Sequence, residues 1–206
     1  MIKNYPNIIP VFPLNGVIYF PKTNLPLNIF EQRYLNLVND AYNKNKLMGM
    51  VQSKKENNNI YKVGCLGKIS DYQKSKDGRI LINLTGIIRF EILEEITNDK
   101  LYKEFKVDYQ NFEQDLFSIN TQIKIESVIE KAKIFFQKNG LLLNWKEFEK
   151  LELAQKINTL AMISPVTNEE KQKLLETISL NEKVQILEKI ISFYLHDVNF
   201  DNQTIQ

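Results

Sequence analysis

Histidine and cysteine are nearly absent from this chain of 206 residues, which contains one of each, His196 and Cys65. A single cysteine cannot form a disulfide within the chain. One histidine with one cysteine also cannot supply the four ligands of a structural zinc site. The sequence therefore predicts no metal site, and we expect no cofactor.

Long apolar runs are missing as well. No uninterrupted apolar stretch approaches the roughly 20 residues that a membrane-spanning helix needs. The N-terminal segment, from Met1 to Pro10, is polar and interrupted by proline, unlike the apolar centre of a secretion signal. We therefore expect a cytoplasmic protein without a membrane partner.

The chain also lacks an excess of one charge, since 27 Lys and Arg against 25 Asp and Glu leave a net charge of +2. That excess is too small to drive nucleic-acid binding through counterion release. Lysine clusters at Lys54-Lys55 and from Lys74 to Arg79 keep RNA binding as an alternative. No aromatic residues for base stacking are interleaved with them, so we expect nucleic acid not to be a partner.

No catalytic constellation is evident in the sequence. His196, the single candidate for a histidine base, stands beside Asp197 near the end of a predicted helix, a position typical of surface residues. Cys65 lies in an apolar strand context, which is typical of a small core residue. Gly64 and Gly67 are separated by two residues, whereas a phosphate-binding loop needs four. The sequence predicts no catalytic residue.

Short alternating apolar stretches fill the first 110 residues and predict a small β barrel with one helix, from Glu31 to about Asn45. The predicted strands are 8–14, 17–20, 25–30, 47–52, 61–72, 79–85, 87–96 and 101–109. The first contains Pro10 and Pro13, which cannot donate to a ladder, so we expect an edge strand. Asn15-Gly16 predicts a tight turn into the second strand, and Gly86 predicts a bulge or bend.

The pattern changes to helical spacing after Asn111, and we place a boundary between residues 112 and 113. Apolar residues from Ile125 to Phe136 predict a helix that ends at Asn139-Gly140, and residues 145–163 predict a second. Thr167 and Glu170 match a capping box that opens a third helix. The fold class is therefore α+β, with a barrel unit, 1–112, and a helical unit, 113–206.

The last predicted helix carries one apolar stripe, formed by Val184, Leu187, Ile191 and Tyr194. The polar segment after it, residues 197–206, is expected to fray.

Several segments occur in an order that resembles the N-terminal domain of Lon proteases. They are IPVFPL at 9–14, Phe20-Pro21, Pro26-Leu27, IFEQRY at 29–34, YKVGCLGKI at 61–69, DGRI at 77–80 and LTGIIRF at 84–90. The resemblance runs from about residue 8 to 195. It is looser in the helical half, where it rests on Ser164-Pro165 and EKQKLL at 170–175.

The resemblance implies a PUA-like β barrel followed by a helical bundle, and a role in engaging unfolded or degron-bearing polypeptides. In Lon proteases this domain precedes an ATPase and a Ser-Lys peptidase, and neither is recognisable in this sequence. We therefore expect a stand-alone binding protein and not an enzyme. Its expected partners are unfolded polypeptides, with a protease, a chaperone or a second copy of the chain as further candidates.

Arginine occurs three times, at Arg33, Arg79 and Arg89, always inside the matched segments, whereas all other cationic residues are lysines. A guanidinium can bind a carboxylate through two parallel hydrogen bonds, which lysine cannot do. We hypothesise that Arg33 and Arg89 make such bonds to a carboxylate or to strand-end carbonyls and pin the helix to the barrel. Glu31 is a candidate partner, and with Gly86 these residues form the predicted structural set.

The polypeptide is expected to bind exposed apolar surface where the barrel meets the helices. The candidate contact residues are Phe20, Leu25, Tyr34 and Phe112. A second hypothesis is addition of an extended peptide to the edge strand 8–14. A third is an adaptor or oligomeric scaffold, in which Ile186, Ile190 and Phe193 of the last helix dock a partner helix.

Overall fold

The structure is a computed structural model that describes residues 5–54, 59–117 and 123–201, with side chains described as far as residue 196. The chain divides into two compact units, Met1–Phe117 and Ser118–Gln206. The α+β class predicted from the sequence is confirmed. The end of the first unit lies five residues beyond the predicted boundary, after a 3-10 helix that follows the last strand.

The first unit is a sheet with one α-helix inserted between its second and third strands. Its elements are β1 (Ile8–Leu14), β2 (Asn24–Ile29), α1 (Gln32–Lys44), β3 (Leu47–Gln52), β4 (Val63–Lys74), β5 (Ile80–Ile96), β6 (Glu104–Asp108) and the 3-10 helix Gln110–Leu116. The strand order is β2-β5-β4-β3-β1-β6, and β6 also pairs with β5. Five strands therefore close into a small barrel, and β2 pairs with the first half of β5, on the edge opposite β4.

Strand β5 is long enough to pair with both β2 and β6. Its first half pairs with β2 from Ile80 to Thr85, and its second half pairs with β6 from Glu91 to Ile96. The two strands predicted at 79–85 and 87–96 are thus one element. A register shift against β4 leaves Ile87 as an extra residue, which is the bulge predicted at Gly86.

Gly86 is required by a close approach of the backbone. A β-carbon at this position would collide with the carbonyl oxygen of Phe20, and the amide of Lys22 donates to the Gly86 carbonyl at 2.9 Å. Because backbone atoms cannot move aside as a flexible side chain can, a larger residue would displace the segment that leads into β2.

Strand β1 is not the end strand of the sheet that the sequence predicted, since it lies between β3 and β6, but each half of it pairs on one side only. Residues Ile8 to Pro10 pair antiparallel with β6, and Val11 to Leu14 pair parallel with β3. The strand tolerates two prolines because it changes partner along its length, so that each half has a neighbour on one side. The sequence could not indicate this exchange, since the partners are remote in the chain.

The segment 17–20, predicted as a returning strand, has no strand pairing among the described residues. Ile18, Tyr19 and Phe20 are nevertheless buried. The Phe20 carbonyl accepts hydrogen bonds from the Thr23 hydroxyl at 2.7 Å and from the Thr23 amide at 3.3 Å, which turns the chain sharply before β2. The apolar pattern of residues 17–20 therefore reflects burial and not hydrogen bonding to a neighbouring strand.

The barrel interior is organised around Phe90 of β5, which is fully buried. Added β-carbons at Gly49 of β3 and Gly64 of β4 would both lie within 3 Å of the Phe90 ring. These glycines therefore leave the space that the ring fills, at native packing density.

The second unit is helical, with α2 (Glu126–Lys138), α3 (Trp145–Phe148), α4 (Leu153–Ile163), α5 (Asn168–Glu176) and α6 (Leu180–Asp201). The single helix predicted for 145–163 is two helices, because Glu152 adopts an extended conformation between them. The break separates an aromatic cluster of Phe136, Trp145 and Phe148 from the buried face of α4.

The capping box that opens α5 is confirmed. The Thr167 hydroxyl accepts from the Glu170 amide at 3.2 Å, and the Glu170 carboxylate accepts from the Thr167 amide at 2.8 Å. On α6, the predicted stripe is buried at Val184, Leu187 and Ile191. The helix continues to Asp201, and residues 202–206 of the predicted polar tail lie outside the described residues.

Candidate functional site

A groove of about 820 Å³ lies at one end of the barrel. Its walls come from the end of β1, the N-terminal turn of α1, the chain just after β3, the end of β5 and the segment that leads into β6. This volume falls within the range of about 300–1,000 Å³ that is usual for ligand sites.

The groove exists because β1 and β6 separate. Their pairing covers Ile8 to Pro10, and one further hydrogen bond joins the Val11 amide to the Lys103 carbonyl at 3.1 Å. Beyond that bond β1 continues beside β3, whereas the chain before β6 turns away. The gap between the two segments forms the floor of the groove.

Apolar side chains line much of the groove. Leu101 is 62% exposed, and Leu14 and Ile60 are half-buried. Tyr34 forms one wall, with its ring packed edge-to-face against Phe12 at a centroid distance of 4.2 Å. A bound molecule could therefore withdraw apolar surface from water here, mainly at Leu101.

Tyr102 forms a second, fixed wall. Its hydroxyl donates to Asp40 Oδ2 of α1 at 2.7 Å. Burial and this hydrogen bond raise the pKa of Tyr102 to about 12, so the hydroxyl stays protonated at neutral pH. The bond ties the segment before β6 to α1 and holds the groove open.

Four of the five charged residues that line the groove form ion pairs within the protein. Arg33 donates from Nε to Glu31 Oε2 at 3.0 Å, and Lys103 Nζ lies 2.8 Å from Glu95 Oε2. All four side chains are about half-exposed, so each pair contributes little to stability. Lys54 also lines the groove and belongs to neither pair, and its Nζ lies 5.0 Å from the centre of the Tyr61 ring.

The four residues predicted to contact a polypeptide are all buried, which corrects their assignment as exposed surface. The exposed fractions are 0% for Phe20, 8% for Leu25, 6% for Tyr34 and 3% for Phe112. Only Tyr34 lines the groove. The apolar pattern that singled these residues out is the signature of the core, and exposed area cannot be read from it. A binding surface where the barrel meets the helices stays a prediction.

Arg89 has the bidentate geometry expected of it, with a partner that the sequence did not suggest. Its Nε and Nη2 donate to Asp115 Oδ2 and Oδ1 at 2.9 and 2.8 Å, and its amide donates to Oδ2 at 3.0 Å. The guanidinium carbon lies 4.5 Å from the centre of the Phe112 ring. The pair is buried and fastens the 3-10 helix to β5, so its role differs from the predicted pinning of α1.

Arg33, in contrast, binds its neighbour Glu31 on the surface. Both nitrogens contact one oxygen, Oε2, and the two residues are separated by one position in the chain. A local exposed pair cannot pin α1 to the barrel, which corrects the predicted role. Glu31 and Arg33 instead lie on the rim of the groove.

Sequence reasoning missed Leu101 and Asp115, the most exposed apolar residue of the groove and the partner of Arg89. A signal for Leu101 was present, since an isolated leucine follows the polar turn Asn98 to Lys100. Asp115 carried no such signal, because its contact with Arg89 spans 26 positions.

Among the described residues, no three His, Cys, Asp or Glu side chains are grouped so that they could hold a metal ion. The part of the chain that the structure describes also contains no helix long and apolar enough to cross a membrane.

Residues 8–192 match the family model of the ATP-dependent protease La (LON) substrate-binding domain. The chain belongs to the Lon substrate-binding domain family. The match is to this domain alone and not to a catalytic domain. Solved structures of the family have the same fold: a Lon N-terminal domain protein from Xanthomonas campestris has a TM-score of 0.65 at 20% identity, over 87% of this chain and 96% of that one. The N-terminal domain of the Mycobacterium avium complex Lon protease also has a TM-score of 0.65, at 16% identity, over 90% and 98% of the two chains.

Curated relatives include Lon proteases from Dictyoglomus thermophilum, 25% identical over 195 residues, and Malacoplasma penetrans, 29% identical over 209 residues. The alignments cover 89% and 92% of this Lon-domain chain but 24% and 26% of the relatives. The chain thus spans about a quarter of the length of the proteases it matches.

Proposed function

We propose that this Lon-domain protein binds unfolded or degron-bearing segments of other proteins in the groove of its barrel, without performing chemistry on them. The observation that carries the proposal is the 62% exposure of Leu101 in a groove where four of the five charged residues form ion pairs with each other. Unfolded chains offer scattered apolar side chains, which such a surface can cover.

The family supports binding and not cleavage as the role of this chain. The curated relatives are proteases, and the part that this chain matches is the substrate-binding domain, about a quarter of their length. Recognition of protein substrates is the activity we assign to the matched part. A protease or chaperone that receives the bound segments is part of the same proposal.

The experiment measures binding of a chemically unfolded, alkylated client protein by fluorescence anisotropy, without nucleotide. Replacing Leu101 with aspartate should weaken binding about tenfold, because covering the exposed part of a leucine contributes roughly 1–2 kcal/mol. Leu101 is exposed, so the variant should fold normally.

Leu142→Asp is the matched control. Leu142 is fully exposed and lies in the helical unit, outside the groove, so this variant should bind as the unchanged protein does. Equal affinity of the Leu101 variant and the unchanged protein would overturn the groove as the binding site.

Salt dependence separates this proposal from RNA binding. Because only one of the five charges on the groove, Lys54, lies outside the two ion pairs, affinity for the client should change less than about threefold between low and physiological salt. An RNA-binding protein would lose affinity steeply over the same range.

A further inference from the structure

The last helix, α6, has an exposed face opposite its buried stripe. The buried stripe is formed by Val184, Leu187 and Ile191. Because an α-helix has 3.6 residues per turn, Glu182, Lys189 and Phe193 share the opposite face. All three side chains are exposed, and Phe193 is 59% exposed. The helix thus covers the core of its unit with one face and presents the other to solvent.

Apolar side chains lie at both ends of the exposed face and at its middle. Ile178 is 49% exposed and lies just before the first helical turn, where the Lys183 amide donates to the Ser179 carbonyl at 3.0 Å. Ile186, in the middle, is half-buried. Apolar side chains repeated along one helix face are typical of a helix that docks another helix. We refer to the following residues together as the outer stripe of α6: Ile178, Glu182, Ile186, Lys189 and Phe193.

The two charged residues of the outer stripe have opposite signs. Glu182 and Lys189 are two helical turns apart, about 10.5 Å along the axis, which is too far for them to pair with each other. Within the described part of the chain, the ion pair of α6 is Lys131–Glu188, and neither Glu182 nor Lys189 takes part in one. Both charges are therefore available to a partner.

The outer stripe is complementary to itself under a two-fold rotation. In an antiparallel pair of identical helices, the register that brings Glu182 opposite Lys189 of the second copy also brings Ile178 opposite Phe193. Both pairs are centred between Gln185 and Ile186, so Ile186 lies beside the two-fold axis and meets its own copy. Each contact occurs twice, and one register therefore matches both the charges and the apolar ends.

We propose that the outer stripe of α6 is a dimer interface, in which the last helices of two copies of this chain pack antiparallel. The partner is a second copy because the stripe complements its own sequence, a property that an unrelated partner does not require. Contact along one helix covers less than the roughly 1,200–2,000 Å² of a standard interface. We therefore expect a weak dimer, with a Kd on the order of 10–100 μM.

The dimer adds to the binding function proposed above, on which this consequence alone rests. A dimer carries two grooves, so one unfolded chain can bind through two of its segments. Binding of the second segment is then intramolecular and raises the overall affinity without a new contact.

The test is sedimentation velocity of the full chain and two charge-reversal variants. The unchanged protein should be mainly dimeric at about ten times its Kd and mainly monomeric at about a tenth of it. Glu182→Lys and Lys189→Glu each place like charges opposite each other twice, and each should weaken association at least about tenfold. Both positions are exposed, so circular dichroism should show unchanged folding.

An equimolar mixture of the two variants gives the decisive measurement. In a mixed dimer the introduced lysine faces the introduced glutamate, and the remaining Lys189 faces the remaining Glu182. The mixture should therefore associate as the unchanged protein does, although each variant alone does not. Lys138→Glu is the matched control, an exposed charge reversal at the end of α2 that should leave association unchanged.

Three results would overturn the interface. The first is a protein that stays monomeric at about ten times the upper end of the expected Kd. The second is a dimer that neither single reversal weakens, and the third is a mixture that associates no better than the separate variants. None of these measurements involves a client, so failure of the proposed binding function would leave the interface supported.

Discussion

At the scale of single residues, the sequence predicted the same role for Arg33 and Arg89, but the Arg89–Asp115 pair is buried and the Arg33–Glu31 pair is exposed. The Arg89 and Asp115 side chains are 2% and 9% exposed, whereas Arg33 and Glu31 are 54% and 46% exposed. Removing one member of a buried pair leaves an uncompensated charge, but an exposed pair exchanges its partner for water at little cost. Burial therefore decides which arginine matters for stability.

We expect Asp115→Asn to lower the free energy of unfolding by about 3–5 kcal/mol. Arg89→Lys should also destabilise the protein, because an ammonium cannot reproduce the bidentate contact. The measurement is urea unfolding followed by circular dichroism. Arg33→Lys serves as the control and should change stability by less than about 1 kcal/mol. Equal effects at the two arginines would contradict this account.

Between elements, α2 and α6 are joined by a carboxylate that receives two hydrogen bonds. Glu188 Oε1 of α6 accepts from the Ser127 hydroxyl at 2.6 Å and from Lys131 Nζ at 2.7 Å, both on α2. The hydrogen bonds from Lys131 and Ser127 lower the pKa of Glu188 below its ordinary value of 4.5. A carboxyl with a lowered pKa stabilises the folded state when ionised.

The sign of the pH dependence follows from that shift. The contribution of Glu188 is fully present above about pH 6, where the group is ionised in both states, and is lost as pH falls from there through the folded pKa. Urea unfolding at about pH 6 and about pH 3.5 should show a larger loss of stability for the unchanged protein than for Glu188→Gln. Glu182→Gln, an exposed change on the same helix, should retain the full loss. If Glu188→Gln lost as much stability between the two pH values as the unchanged protein does, a stabilising contact of Glu188 with Ser127 and Lys131 would be ruled out.

For the whole molecule, the chain divides into two units, so the position of the boundary between them can be tested with fragments of the chain. The closed barrel has its own core, which includes Phe112 of the 3-10 helix. Asp115 lies on that helix, between the boundary predicted from sequence and the one observed in the structure.

A fragment of residues 1–117 should therefore fold by itself and unfold in one cooperative transition. A fragment of residues 1–112 lacks Asp115 and leaves the Arg89 guanidinium without that partner, so it should be less stable by at least about 3 kcal/mol. Circular dichroism and the dispersion of amide resonances would compare the two fragments. Equal stability would show that the 3-10 helix is dispensable for the barrel.

The sequence of neighbouring residues was sufficient to predict helices and strands such as β3 and α5, and the α+β fold class. A short apolar run predicted β3 at its observed bounds, Leu47–Gln52, and the Thr167/Glu170 spacing predicted the start of α5, because both signals act over a few neighbouring residues. The ordered motifs also pointed to the Lon family. Apolar pattern reports burial, however, so it selected the core residues Phe20 and Leu25 when a surface was sought.

Tertiary contacts were needed to show which strands neighbour β1, which carboxylate meets Arg89 and where the groove opens. Each of these depends on contacts between positions that are remote in the chain, such as Val11 with Lys103 and Arg89 with Asp115. Long-range pairing depends on how the strands close around a shared core. The pattern of apolar and polar residues within one segment does not indicate that closure.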